Sequence, residues 1–155
     1  MAPYGGRAYW DVHTWSPASN PADAFGWERC LVDFQQLLDE KKSEMKVMVL
    51  EENGQGDQHG LLRAVSHSAL GNAFTRQGRL TRVHGYANML EAWQGLDSER
   101  AFSQGQLFTL PNGTLPQATF HAIKMHSESW QPRLLASKGS WAQAGADQVD
   151  AVAVG

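Results

Sequence analysis

The sequence predicts an α/β fold with parallel strands, and three observations carry that expectation. Lys46-Val-Met-Val-Leu-Glu51-Glu52-Asn53-Gly54 is an unbroken apolar run closed by two carboxylates and the start of a glycine-rich loop. Val47 to Leu50 show no polar alternation, the pattern of a strand whose two faces are both covered. Strand-like and helix-like segments alternate along the chain at a spacing that suits right-handed crossover units. A length of 155 residues, 42% of them hydrophobic, suffices for one domain with a true core.

The elements follow in order. Ala8-Tyr-Trp-Asp-Val-His13 is a short aromatic-rich segment that suits a strand, and Ser16-Pro-Ala-Ser-Asn-Pro21 is a polar loop. A helix is expected after it, with Asn20 as N-cap, Pro21 in the first position, and Trp27, Leu31, Phe34 and Leu38 recurring at helical spacing. Its end, Asp39 to Lys42, reads as a solvated last turn. The strand at Lys46 to Leu50 comes next, then a loop, then a second helix from about Gln58 to Gln77. Leu61, Leu62, Val65, Ala69, Ala73 and Phe74 should form its buried face, and Gly78 stands where a C-cap is expected. Leu80 to Tyr86 reads as a third strand, Gln106 to Leu110 as another, and Pro111-Asn-Gly as a turn. A last helix is expected from Pro116 to Glu128, started by the proline. From Gln131 the chain becomes small and polar, so residues 1–130 are expected to form the α/β domain and 131–155 an irregular tail.

Composition narrows the function. Thirteen Lys and Arg against sixteen Asp and Glu give a net charge of -3 with no basic tract, so nucleic acid is not an expected partner. One cysteine, Cys30, excludes an internal disulfide framework and reads as a small core residue. No apolar stretch has the length of a membrane span, and the first residues lack the apolar centre of a signal peptide, so a soluble chain is expected with its compartment unknown.

Chemistry is expected where the central strand ends. Parallel sheets carry their sites at the strands' C-terminal ends, where Glu51 and Glu52 stand. Successive strand residues point to opposite faces, so only one of the two can reach a crevice. A plain solvated strand exit is the competing reading. Gly54, Gly56 and Gly60 resemble a phosphate loop, but Gly-Lys-Ser/Thr is missing and Glu51, Glu52 and Asp57 would repel an anion. Six histidines form no His-x-x-x-His, so no metal and no other cofactor is expected. No Gly-x-Ser-x-Gly elbow occurs.

The succession Asp11-Val-His13-Thr-Trp15, a helix, Val-Met-Val-Leu-Glu51-Glu52-Asn-Gly, an Ala- and Leu-rich helix, Arg82-Val-His-Gly-Tyr-Ala87, Gln106-Leu-Phe-Thr-Leu and Leu115-Pro-Gln-Ala-Thr-Phe120 resembles the later part of the catalytic region of glycoside hydrolase family 51 α-L-arabinofuranosidases. The resemblance covers about Tyr9 to Gln131. It implies a retaining glycosidase on a (β/α)8 barrel, of which this chain would supply three βα units. In the family a glutamate ending a late strand is the nucleophile. Glu52 is the better match and Glu51 the second, with Asn53 where an aromatic usually follows. The resemblance also implies that His13 and Trp15 line the sugar pocket and that Asn88 holds the sugar. A packed aromatic cluster with a satisfied histidine remains the alternative for His13 and Trp15.

A retaining mechanism requires two carboxylates about 5 to 5.5 Å apart. Glu51 and Glu52 diverge across the strand and cannot fill both roles. The family's acid/base follows an asparagine on an earlier strand, and no Asn-Glu dipeptide occurs here. The resemblance therefore implies the nucleophile half of a site, inactive as an isolated chain, acting on arabinofuranosyl carbohydrate when a missing barrel half is supplied. A partial barrel also leaves open strand edges that favour association. The second expectation is thus a pseudoenzyme, a non-catalytic scaffold or interaction subunit with a protein partner.

Overall fold

The apolar run forms the central strand of a sheet. β2 (Lys46–Gly54) is flanked by β1 (Tyr9–Ser16) and β3 (Thr81–Tyr86), both parallel to it. The computed structural model describes residues 9–16, 22–54, 60–86, 89–92, 105–131, 133–135 and 153–154. Parallel neighbours need long crossovers, and α1 (Ala22–Glu40) and α2 (Leu61–Arg76) provide them. The architecture is mixed helix and strand with a small parallel sheet, as the α/β class requires.

The core forms between this sheet and the two helices. Leu31 and Leu38 of α1, Val47 and Val49 of β2, Ala69, Leu70 and Phe74 of α2, and Leu80 form one buried cluster, with Trp27, Phe34 and Met45 packed at its margin. The stripe expected on α1 is therefore the packed one. Removing a Leu, Val or Phe side chain from water contributes about 1.5–3 kcal/mol each, so this cluster dominates the stability of the unit. Cys30 departs from expectation: it is exposed. It precedes Leu31 by one residue, about 100° around the helix from the packed stripe.

The buried face of α2 also differs from expectation. Ala69, Ala73 and Phe74 are buried, but Leu61, Leu62 and Val65 are 75%, 53% and 45% exposed, while Arg63, Ser66 and His67 are buried. The stripe through Leu70 and Phe74, continued back at three- and four-residue steps, passes through His67, Ser66 and Arg63. The apolar residues of the first turn thus fall on the outer side. Glu28 and Arg76 join α1 to α2 through a forked pair, Nε to Oε1 at 2.8 Å and Nη2 to Oε2 at 2.7 Å. Gly78 does not cap α2; Gln77 does, with its N–H donating to Ala73 O. At the end of α1, Lys42 takes a left-handed φ of 52° while the Ser43 N–H donates to Leu38 O at 2.8 Å.

A second sheet, not expected from the sequence, interrupts the third βα unit. β4 (Leu90–Ala92) pairs parallel with β5 (Leu107–Leu110), which pairs antiparallel with β6 (Gly113–Pro116). Pro111 and Asn112 make the expected turn between β5 and β6. Pro116 belongs to β6, and α3 (Ala118–Ser129) starts two residues later from Gln117. Gln117 N–H donates to Gln106 O at 2.9 Å, tying the helix start to β5's approach. α3 packs on α2. Within the segment expected to be an irregular tail, β7 (Leu134–Leu135) pairs antiparallel with β8 (Ala153–Val154).

Candidate functional site

The C-terminal ends of the parallel strands bring together most of the residues singled out from the sequence. From its start, β1 is in step with β2: Tyr9 pairs with Lys46, Trp10 with Val47, Asp11 with Met48 and Val12 with Val49. The next pair is His13 with Glu51, so Leu50 is an extra residue on β2. Thr14 then pairs with Glu52, Trp15 with Asn53 and Ser16 with Gly54. The other side of β2 shows the same irregularity, because Val49 pairs with His84 and Glu52 with Tyr86, three steps on β2 against two on β3. One additional residue in a strand is a β-bulge, a device that redirects the positions beyond it. His13 is thereby level with Glu51, and Trp15 with Asn53. Asn88, the remaining expected sugar contact, lies outside the described residues, as does the loop 55–59 with His59.

Helix α2 follows β2 after a short connection, so its first turns lie at the same end of the sheet. Arg63 and His67, 2% and 3% exposed, belong to those turns. A guanidinium is removed from water at low cost only where acceptors and negative charge surround it. Hydropathy alone gave no hint of this buried arginine, because a charged residue on an apolar helix is ordinarily read as outward-facing. Among the described residues, no three His, Cys, Asp or Glu side chains converge in a way that would hold a metal ion.

A separate cleft of about 590 Å³ lies between α2 and α3. Leu61, Val65, Met125 and Trp130 contribute apolar surface, and Val154 of β8 reaches it. On its floor Ser68 Oγ and His126 Nε2 are 2.8 Å apart. A methyl group on Gly71 would meet the His126 ring at 3.3 Å, so the small residues Ser68 and Gly71 admit this ring between the helices. Sequence reasoning missed the Ser68–His126 pair. The two residues are 58 positions apart and each is unremarkable alone.

No family model and no curated protein matches the chain. Among solved structures, the chain is similar to the α-L-arabinofuranosidase from Thermotoga maritima in its arabinose complex, with a TM-score of 0.61 and 11% identity. The match covers 81% of this chain and 27% of that one, so the chain spans about a quarter of the structure it resembles. At that identity the likeness shows a shared fold and nothing of the active-site residues.

Proposed function

We propose that this chain carries the nucleophile half of a retaining α-L-arabinofuranosidase-like site, on three units of a (β/α)8 barrel. The reading is supported above all by the register at the strand ends, where His13 is level with Glu51 and Trp15 with Asn53. That edge is where parallel α/β folds carry their chemistry. A glutamate carboxylate attacks the anomeric carbon, the glycosidic C–O bond breaks, and a covalent glycosyl ester forms. Protonation of the leaving oxygen belongs to a second carboxylate on the rest of the barrel. Its loss alone costs roughly 10²–10⁴ in rate on a poor leaving group.

A substrate that needs no acid tests the proposal. p-Nitrophenyl α-L-arabinofuranoside, mixed with the chain at high concentration, should give a burst of p-nitrophenolate that disappears in Glu51→Gln/Glu52→Gln. A folded chain with no burst above the double variant refutes it.

A second reading, an interaction subunit, is favoured by one observation. Leu61, Val65, Met125 and Trp130 border a single cleft and are 75%, 45%, 68% and 63% exposed. Clustered apolar surface of this kind marks contact sites. Sedimentation should then show an assembly that Trp130→Ser dissociates and that Glu51→Gln/Glu52→Gln leaves intact.

A further inference from the structure

We infer that the cleft between α2 and α3 is a binding site for a small uncharged amphiphile, an apolar molecule carrying one alcohol hydroxyl, and that the Ser68–His126 pair holds that hydroxyl. The inference is independent of the glycosidase reading and uses none of its residues.

At about 590 Å³ the cleft has the size of a small-molecule pocket. Such pockets are mostly apolar and carry a few polar groups that fix the ligand's orientation. Leu61, Val65, Met125 and Trp130 are exposed around this one, and Ala64 and Ala122 line it with little bulk. An apolar body seated there would take these side chains and its own surface out of water together.

The polar groups are equally specific. Ser68 Oγ lies 2.8 Å from His126 Nε2. A Cβ at residue 71 would stand 3.3 Å from Cε1 of the ring, so glycine there keeps His126 within reach of Ser68. A hydroxyl offers one donor and two acceptor positions, and the bond to His126 occupies one of them. Where Nε2 carries the hydrogen, it donates to Oγ and the serine hydrogen turns to the ligand. In the other tautomer serine donates to Nε2, and Oγ accepts from the ligand. An alcohol hydroxyl is donor and acceptor at once and suits both.

Charge selects against ionised heads. The described residues that line the cleft include no Asp, Glu, Lys or Arg. An ammonium or carboxylate entering it would exchange water for apolar walls without a permanent opposite charge. His121 and His126 are the titratable groups there, and His126 already engages Nε2 with Ser68. The pair is not placed for nucleophilic attack either. Ser68 lies in the interior of α2, where backbone N–H groups are taken by carbonyls one turn earlier, so they form no oxyanion hole beside its hydroxyl.

Amide NMR spectra of the isotopically labelled chain, titrated with n-octanol, test the inference. Saturable shifts should cluster on residues 64–68 and 122–126, with n-octanol binding about tenfold more tightly than octanoate or octylammonium. Ser68→Ala should weaken n-octanol about threefold to tenfold, the net worth of one neutral hydrogen bond. Val65→Trp should abolish binding by filling the cleft, whereas Leu62→Trp, on the same turn but outside the lining, should leave it unchanged. Both positions are exposed, 45% and 53%, so neither variant disturbs the core. Absence of saturable shifts, tighter binding of either ion, no effect of Ser68→Ala, or equal losses in the two tryptophan variants overturns the inference. So do shifts on α2 and α3 that follow protein concentration alone and vanish in Val65→Trp, because the occupant is then a second copy of the chain.

Discussion

Leu61 and Leu70 offer the same substitution on the same helix with opposite burial. Leu70 is 4% exposed in the cluster with Val49 and Phe74; Leu61 is 75% exposed at the start of α2. Leu→Ala changes helix propensity little at either position, so the difference between the two variants isolates burial. Complete burial of a leucine contributes about 1.5–3 kcal/mol. Leu61 retains about a quarter of that, roughly 0.5 kcal/mol. Leu70 retains nearly all of it and leaves a cavity as well, for a total of about 2–5 kcal/mol. Urea unfolding followed by circular dichroism measures both. Leu70→Ala at ~3 kcal/mol corresponds to a midpoint drop of about 6–12 °C in a domain of this size, whereas Leu61→Ala should be nearly indistinguishable from the parent. Equal losses, or a larger loss at Leu61, would refute an α2 that turns Leu70 inward and Leu61 outward.

Other consequences are as direct. Gly71→Ala gains about 1 kcal/mol of helix propensity but presses a methyl against the His126 ring; it should destabilise the parent and stabilise His126→Ala, and a double-mutant cycle reads that change of sign. The Glu28 carboxyl is held below its ordinary value of 4.5, first by the hydrogen bonds Arg76 donates and then by that residue's charge and Gln77, against the opposing effect of burial. Its contribution is therefore present above pH 4.5 and lost as pH falls through the lower folded value. Glu28→Gln should cost about 1 kcal/mol at pH 7, and unfolding titrations in acid should show that difference shrinking. Cys30, exposed on α1, should react with a thiol reagent in the native chain at the rate of a free thiol; reaction only in denaturant would contradict its position.

Much of the parallel sheet was legible in the sequence because its causes are local. The run Val47 to Leu50, without polar alternation, forms the central strand β2, and Trp27, Leu31, Phe34 and Leu38 announce α1 because helical spacing and burial coincide there. In α2 they do not coincide. Leu61, Leu62 and Val65 look like the inner face, yet the stripe that ends in Leu70 and Phe74 begins in Arg63, Ser66 and His67. The sheet of β4, β5 and β6 depends on a three-residue strand, Leu90–Ala92, with no local signature; its partner is supplied from residues 107–109. The two carboxylates at the end of β2 were legible in the sequence, but the strand register around them was not. A bulge at Leu50 shows in sequence as one more apolar residue, and a one-residue shift reverses every position beyond it.

Azide rescue tests the central claim most directly. If a carboxylate at the end of β2 attacks the anomeric carbon, then replacing it with glycine opens a space from which azide can make the same attack. With 2,4-dinitrophenyl α-L-arabinofuranoside, azide should restore dinitrophenolate release to one of the two variants Glu51→Gly and Glu52→Gly and yield a β-arabinofuranosyl azide. Absence of rescue in both variants, each shown to be folded, would contradict a nucleophile at this strand end and with it the glycosidase account.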